Sequence, residues 1–425
     1  MHRYEQCQRW GGPPSSLHAK TWRRSWAYLE PILDEIAASC RVAKDQGVQW
    51  RDADPSTTAV SEHYAEMVPE AIREHIAAAP AGGVRKHVET TLPSGRHVRL
   101  AIWGAHIDAL GDIHDVLTKT AAWFHFIDGK AVATCSRTLH VHLFLTELTK
   151  TLPSSDGGTG RTGRPPLATQ HVNSAFTFSC RKNNEMYIFR REEWWKVLMH
   201  ESLHALGLDF SWTLDTLSPR EVGGGGESGS GEAGSIVPFP RVTAWYAYEA
   251  WTEFWAEVLV LLYQVVWIPG GGGGGGAGGG AGGGAGSVGR GTRELLVHHG
   301  LFYESVWSRL QCTKVLRHGG VTYYALRTGT GTLPEGESPV FAYYVLKCLL
   351  MSRMDAFLAW CRAHDGPWGT FSRPETVQRH MAAFTEFLTA SAQDPGVVHA
   401  LTALEKRSAG VELGDELRMS LWGGP

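Results

Sequence analysis

Apolar residues recur every three to four positions over 20–45 (Trp22, Trp26, Leu29, Leu33, Ile36) and again over 60–79, which predicts helices there. The pattern then changes. Residues 85–103 alternate on both sides of Pro93-Ser94-Gly95 and predict a hairpin. A helix is expected over 111–127, followed by strands at 139–146, 173–180 and 186–190. A long apolar helix over 192–206, a second over 243–267, and helices near 293–316, 338–362 and 375–405 complete the chain. Strands first, a central pair of helices and then an all-helical tail predict an α+β fold with helical N- and C-terminal portions.

Three low-complexity tracts interrupt this pattern at 154–166, 223–235 and 270–292, the last almost pure glycine with spaced alanines. Such tracts lose much backbone entropy on ordering and bury little, so they read as insertions or linkers. The expected organisation is a helical segment at 1–84, a core at 85–268 carrying the first two tracts, a Gly-rich linker at 269–292, and a helical region at 293–425. Forty basic against 43 acidic residues leave no field that would favour a nucleic acid or an anionic membrane. Seven cysteines, at 7, 40, 135, 180, 312, 348 and 361, form no CxxC pair, which argues against a disulfide framework and for a reducing intracellular compartment. The N-terminus, Met1 to Cys7, has no apolar signal core, and the most apolar stretch, 254–268, is too short for a membrane span and contains Glu257.

The helix expected at 192–206 contains His200-Glu201-Ser-Leu-His204, a full HExxH. Residues four apart lie about 40° apart around a helix, so both imidazoles leave one face and can grip one metal ion. Glu201 beside them is the natural general base for a water on that ion, and zinc is the expected metal. The alternative is a buried polar cluster satisfied by hydrogen bonds alone. Val197, Leu198, Met199, Leu203 and Leu206 mark the helix as buried, where unsatisfied polar groups would cost about 1–3 kcal/mol each.

A catalytic zinc needs a third protein ligand. The run from His200 to Gly207 resembles the metzincin signature HExxHxxGxxH, but its last position is Phe210, which cannot bind metal. Gly207 still suits a left-handed helix end. Asp209 is a second candidate. A third source is the helix bearing Glu249, Glu253 and Glu257, a stripe of like charges among Trp, Phe and Leu that something positive should face. A solvated acidic edge is the plainer alternative. In the metal reading, one of these carboxylates ligates and its neighbour one turn on accepts a hydrogen bond from a ligand histidine.

HExxH followed some forty to fifty residues later by a helical glutamate is the gluzincin pattern. Glu253-Phe-Trp-Ala-Glu257 resembles the Glu-Phe-Phe-Ala-Glu segment of the lethal-factor-like peptidases. The resemblance covers about residues 185–262. It implies a zincin-like core of a small mixed sheet with a histidine helix and a glutamate helix. Within that core it implies Glu253 as zinc ligand, Glu257 as the carboxylate behind it, and Tyr246, seven residues before the ligand, as the group polarising the scissile carbonyl; Tyr248 stands close by as an alternative. The implied activity is hydrolysis of a peptide or protein substrate by an endopeptidase; by its place in the chain, 173–178 is a candidate edge strand for the substrate. A non-catalytic interaction protein retaining a zinc site, and a zinc hydrolase of non-peptide amides or esters, are the competing readings. His140 and His142 share a strand face but lack a carboxylate or cysteine partner, and read as packing.

Overall fold

The computed structural model describes residues 2–11, 19–44, 50–58, 60–78, 84–103, 113–153, 164–213, 239–242, 245–267, 289–334 and 339–422. The low-complexity tract at 223–235 and most of those at 154–166 and 270–292 lie outside the described residues.

Six strands form one mixed sheet: β1 (Arg51–Asp52), β2 (Val84–Thr91), β3 (His97–Trp103), β4 (Thr138–Thr146), β5 (Ala175–Thr177) and β6 (Asn183–Arg190), in the order β1-β2-β3-β4-β6-β5. The expected hairpin is β2 and β3, turning through Gly95 at φ 82°. Strands β3, β4 and β6 run parallel, and β5 returns antiparallel to β6 at one edge. Alternation divides the faces. Val98, Leu100, Leu139, Val141, Met186 and Ile188 enter the main core, whereas Phe144, Tyr187 and Phe189 meet Val68 and Ile72 on the other side.

Helices cover the main face. The helix Lys20–Val42 packs against Ile113–Ile127, Ala247–Trp267 and Met354–Ala363, so one apolar core runs from Trp22 to Leu401. Trp194, Trp195, Trp251 and Trp255 are all buried in it, each a burial that contributes about 1.5–3 kcal/mol or more. Three of the expected helices are broken. The segment 375–405 divides into Pro374–Gln393 and Pro395–Arg407 because Pro395 has no N–H to continue the ladder, and Asp394 accepts from Gly396 N and Val397 N to cap the second piece. Val68-Pro69 likewise separates His63–Met67 from Glu70–Ala78. The segment 338–362 divides at Arg353 after opening with a π-helical turn, Phe341–Leu346. Among the described residues no helix is long and apolar enough to cross a membrane.

The cysteine expectation needs correction: Cys135 and Cys180 are joined in a disulfide, Cα to Cα 4.5 Å. Parallel pairing of Thr138 with Asn183 brings together the segments that lead into β4 and β6, a proximity the 45-residue separation conceals. The other five cysteines are free and buried.

Candidate metal centre

The strand β6 turns directly into the helix Trp194–Ala205, the histidine helix, through Glu193 in a left-handed conformation at φ 58°. All twelve residues of this helix are buried. Its C-terminal carbonyls are satisfied from outside: Ser136 Oγ donates to Ala205 O at 2.6 Å, Val132 N to Leu206 O at 3.0 Å, and Cys180 N to His204 O at 3.2 Å. Gly207 follows at φ 71°, and a Cβ there would lie 2.8 Å from Cys135 Sγ, so both backbone and space demand glycine.

The helix Ala247–Trp267, the glutamate helix, lies against the histidine helix in the opposite direction. Each turn forward on one therefore meets a turn backward on the other: Lys196 pairs with Glu253, His200 with Glu253 and Glu249, and His204 with Glu249. Three donor atoms converge. His200 Nε2 and His204 Nε2 are 3.1 Å apart, and Glu249 Oε2 is 3.1 Å from the first and 3.3 Å from the second. Tetrahedral bonds of 2.0–2.1 Å would set ligand atoms about 3.3–3.4 Å apart, so the triangle is close to, and slightly tighter than, the size of a tetrahedral metal site. His200, His204 and Glu249 are the group able to hold a metal ion among the described residues. Shared protons can also hold these three atoms together.

Comparison with protein families, curated proteins and solved structures finds no match to this chain. The site therefore stands on its own geometry.

Glu253, expected as the third ligand, stands one turn too deep. Its carboxylate contacts the rear nitrogen of His200, Nδ1, at 2.9 Å, as a charge contact rather than an in-line hydrogen bond, and receives Lys196 Nζ at 2.5 Å. Asp209, weighed as a ligand, sits behind the other ring: its Oδ2 is 2.7 Å from His204 Nδ1, and Ser211 Oγ donates to its Oδ1 at 2.8 Å. Each histidine thus has a carboxylate at Nδ1, which holds the ring and turns Nε2 toward the shared point. Glu257, expected behind the metal, pairs instead with Lys347 at 2.7 Å, both fully buried. The signal that separates the three glutamates is Lys196: a buried cation one turn before His200 claims the carboxylate opposite it.

Charge follows geometry. Burial pushes the Glu249 carboxyl up, but His204 and His200 outweigh it and bring it down to about 2. Burial likewise opposes protonation of His204, yet Asp209 and Glu249 raise it well above its ordinary value. A metal ion needs both Nε2 lone pairs, so its uptake displaces protons. The Glu201 carboxylate forms no hydrogen bond or ion pair with any described residue; burial raises its pKa, against the lowering by His200 and His204.

Tyr246, expected to polarise the substrate, is 46% exposed at φ 43°, with its ring against Tyr248 rather than either histidine. Tyr248 edges onto His204 at 5.9 Å. Sequence reasoning did not find Tyr343, whose ring lies 6.2 Å from that of His200. His142 stacks on Tyr187 at 4.9 Å, the packing role expected of it.

A buried charge lattice underlies the site. Glu193 receives Lys150 Nζ and Ser420 N at 2.5 Å and Met419 N at 3.2 Å. Glu304 accepts from Leu421 N, and Lys347 donates to Met419 O. The C-terminal segment 416–422 is thereby bound to the N-terminal end of the histidine helix.

Proposed function

We propose that this chain is a zinc-dependent peptidase of the gluzincin type, with His200, His204 and Glu249 as metal ligands and Glu201 as general base. The observation that carries this reading is the near-equilateral triangle of two Nε2 atoms and one carboxylate oxygen, next to a carboxylate that no described residue engages. Three protein donors are the number found in catalytic zinc sites, whereas structural sites use four. The 45 residues from His204 to Glu249 also suit the gluzincin spacing.

Zinc bound there supplies a Lewis acid that eases deprotonation of a water and polarises a carbonyl. The chain's own residues do the rest. Glu201 takes the proton of the attacking water as its oxygen bonds to the carbonyl carbon, then delivers it to the leaving nitrogen as the C–N bond breaks. Asp209 and Glu253 keep the rings oriented. The edge strand β5, antiparallel to β6 and packed against the histidine helix, offers backbone groups to an extended peptide. A mixed sheet followed by the histidine helix and an opposed glutamate helix supports reading 85–268 as a zincin-like core.

Glu201→Gln tests the role of the base. The variant should retain zinc and stability while kcat falls about 10²–10⁴-fold, measured on an internally quenched peptide library with chelator-treated protein as control. A zinc-loaded wild type inert to peptides and esters alike would replace the peptidase with a zinc-holding interaction protein.

A further inference from the structure

We propose that Tyr343, from the C-terminal helical region, is the hydrogen-bond donor that stabilises the substrate carbonyl oxygen during water addition; this rests on the peptidase reading. Three observations on the fold single it out. The residue lies in the π-helical turn Phe341–Leu346, which packs on the glutamate helix, and such turns re-aim side chains and recur at functional sites. Its neighbours in that turn are spoken for. Tyr344 donates to Leu417 O at 2.6 Å and Phe341 packs on Phe239 at 5.0 Å, whereas Tyr343 turns its ring toward His200.

The hydroxyl is also unengaged by any described residue. The buried tyrosines Tyr187, Tyr263, Tyr323 and Tyr344 each donate to a protein oxygen. Tyr343, only 9% exposed, has no hydrogen-bond partner among the described residues. A phenol with an ordinary pKa of about 10 carries its proton at neutral pH and can donate it. The third observation is its company: the Tyr343 ring lies 6.2 Å from that of His200, the residue before Glu201 on the histidine helix. Tyr248 instead edges onto His204 at 5.9 Å, the ring that Asp209 backs. Tyr343 is therefore the tyrosine beside the histidine that immediately precedes the base in the chain, and Tyr248 the one beside the other histidine.

The step balances without another reactant. Water oxygen bonds to the carbonyl carbon, Glu201 holds the water proton, and the carbonyl oxygen gathers negative charge against the Tyr343 O–H. On collapse the C–N bond breaks, the nitrogen receives the proton from Glu201, and Tyr343 keeps its own.

The test is Tyr343→Phe in the full, zinc-loaded chain, beside Tyr246→Phe and Tyr248→Phe. Removing one such donor should lower kcat about 100–1,000-fold with KM within about twofold, zinc content unchanged, and the other two variants near wild type. A readout independent of turnover is titration of the cobalt-loaded proteins with acetohydroxamate, followed by the visible spectrum; losing one hydrogen bond should weaken binding about tenfold in Tyr343→Phe. Wild-type kcat and hydroxamate affinity in Tyr343→Phe, or the loss appearing in Tyr248→Phe instead, would overturn the assignment and leave the peptidase reading standing. An inert but metal-loaded wild type would overturn that reading, and with it the catalytic role of Tyr343, whatever the titration gives.

Discussion

Glu249→Gln should lose its metal on dialysis against buffer that leaves the wild type fully loaded, whereas Glu253→Gln should keep an ion bound about 10–100-fold more weakly. The difference follows from register. Opposed helices bring Glu249 to the front nitrogens of both rings and Glu253 to the rear nitrogen of one. An amide at 249 would replace the charged donor of the proposed ligand set. The amide at 253 only weakens the hold on the His200 ring, and Lys196 retains a neutral oxygen beside it. Metal content after dialysis, with competitive titration against a chromogenic chelator, measures both. Equal loss in the two variants, or loss only in Glu253→Gln, would contradict this assignment.

The second large effect concerns stability. Glu193→Gln should cost about 3 kcal/mol at pH 7. Burial pushes this carboxyl up, but Lys150, Lys196 and Arg418 outweigh it and hold it at about 2 against an ordinary 4.5, and each tenfold change in proton affinity corresponds to about 1.4 kcal/mol. A carboxyl depressed by folding stabilises the protein above its unfolded pKa, and the contribution disappears as pH falls through the folded one. The gap between wild type and variant should therefore be complete above about pH 4.5 and close toward pH 2. Denaturant unfolding at pH 7 and pH 3 reads it directly. A gap under about 1 kcal/mol at pH 7, or one that widens on acidification, would show that the lattice does not carry this energy.

Much of the site was legible because HExxH carries its own geometry: residues four apart on a buried helix share a face, wherever the helix packs. The left-handed turn at Gly207 and the hairpin at 93–95 were legible for the same local reason. The third member of the cluster was not local. Glu249, Glu253 and Glu257 share a stripe, and only the opposed packing of two helices decides which turn faces the rings. The resemblance to a segment beginning at Glu253 pointed one turn away from the His200–His204–Glu249 cluster, and the sequence alone does not show that Lys196 pairs with Glu253. Tyr343 and the Cys135–Cys180 bond share that difficulty, being brought to their places by elements remote in sequence. The breaks at Val68-Pro69 and Asp394-Pro395, by contrast, were written in the prolines.

The central claim is that three side chains from two opposed helices meet at one ion. Crystals of the zinc-loaded chain, measured on both sides of the zinc absorption edge, test it most directly. The account predicts one anomalous peak about 2.0–2.2 Å from His200 Nε2, His204 Nε2 and a Glu249 oxygen, with Glu253 still behind His200. No peak at that point, or a peak held by Glu253 with Glu249 turned away, would contradict it.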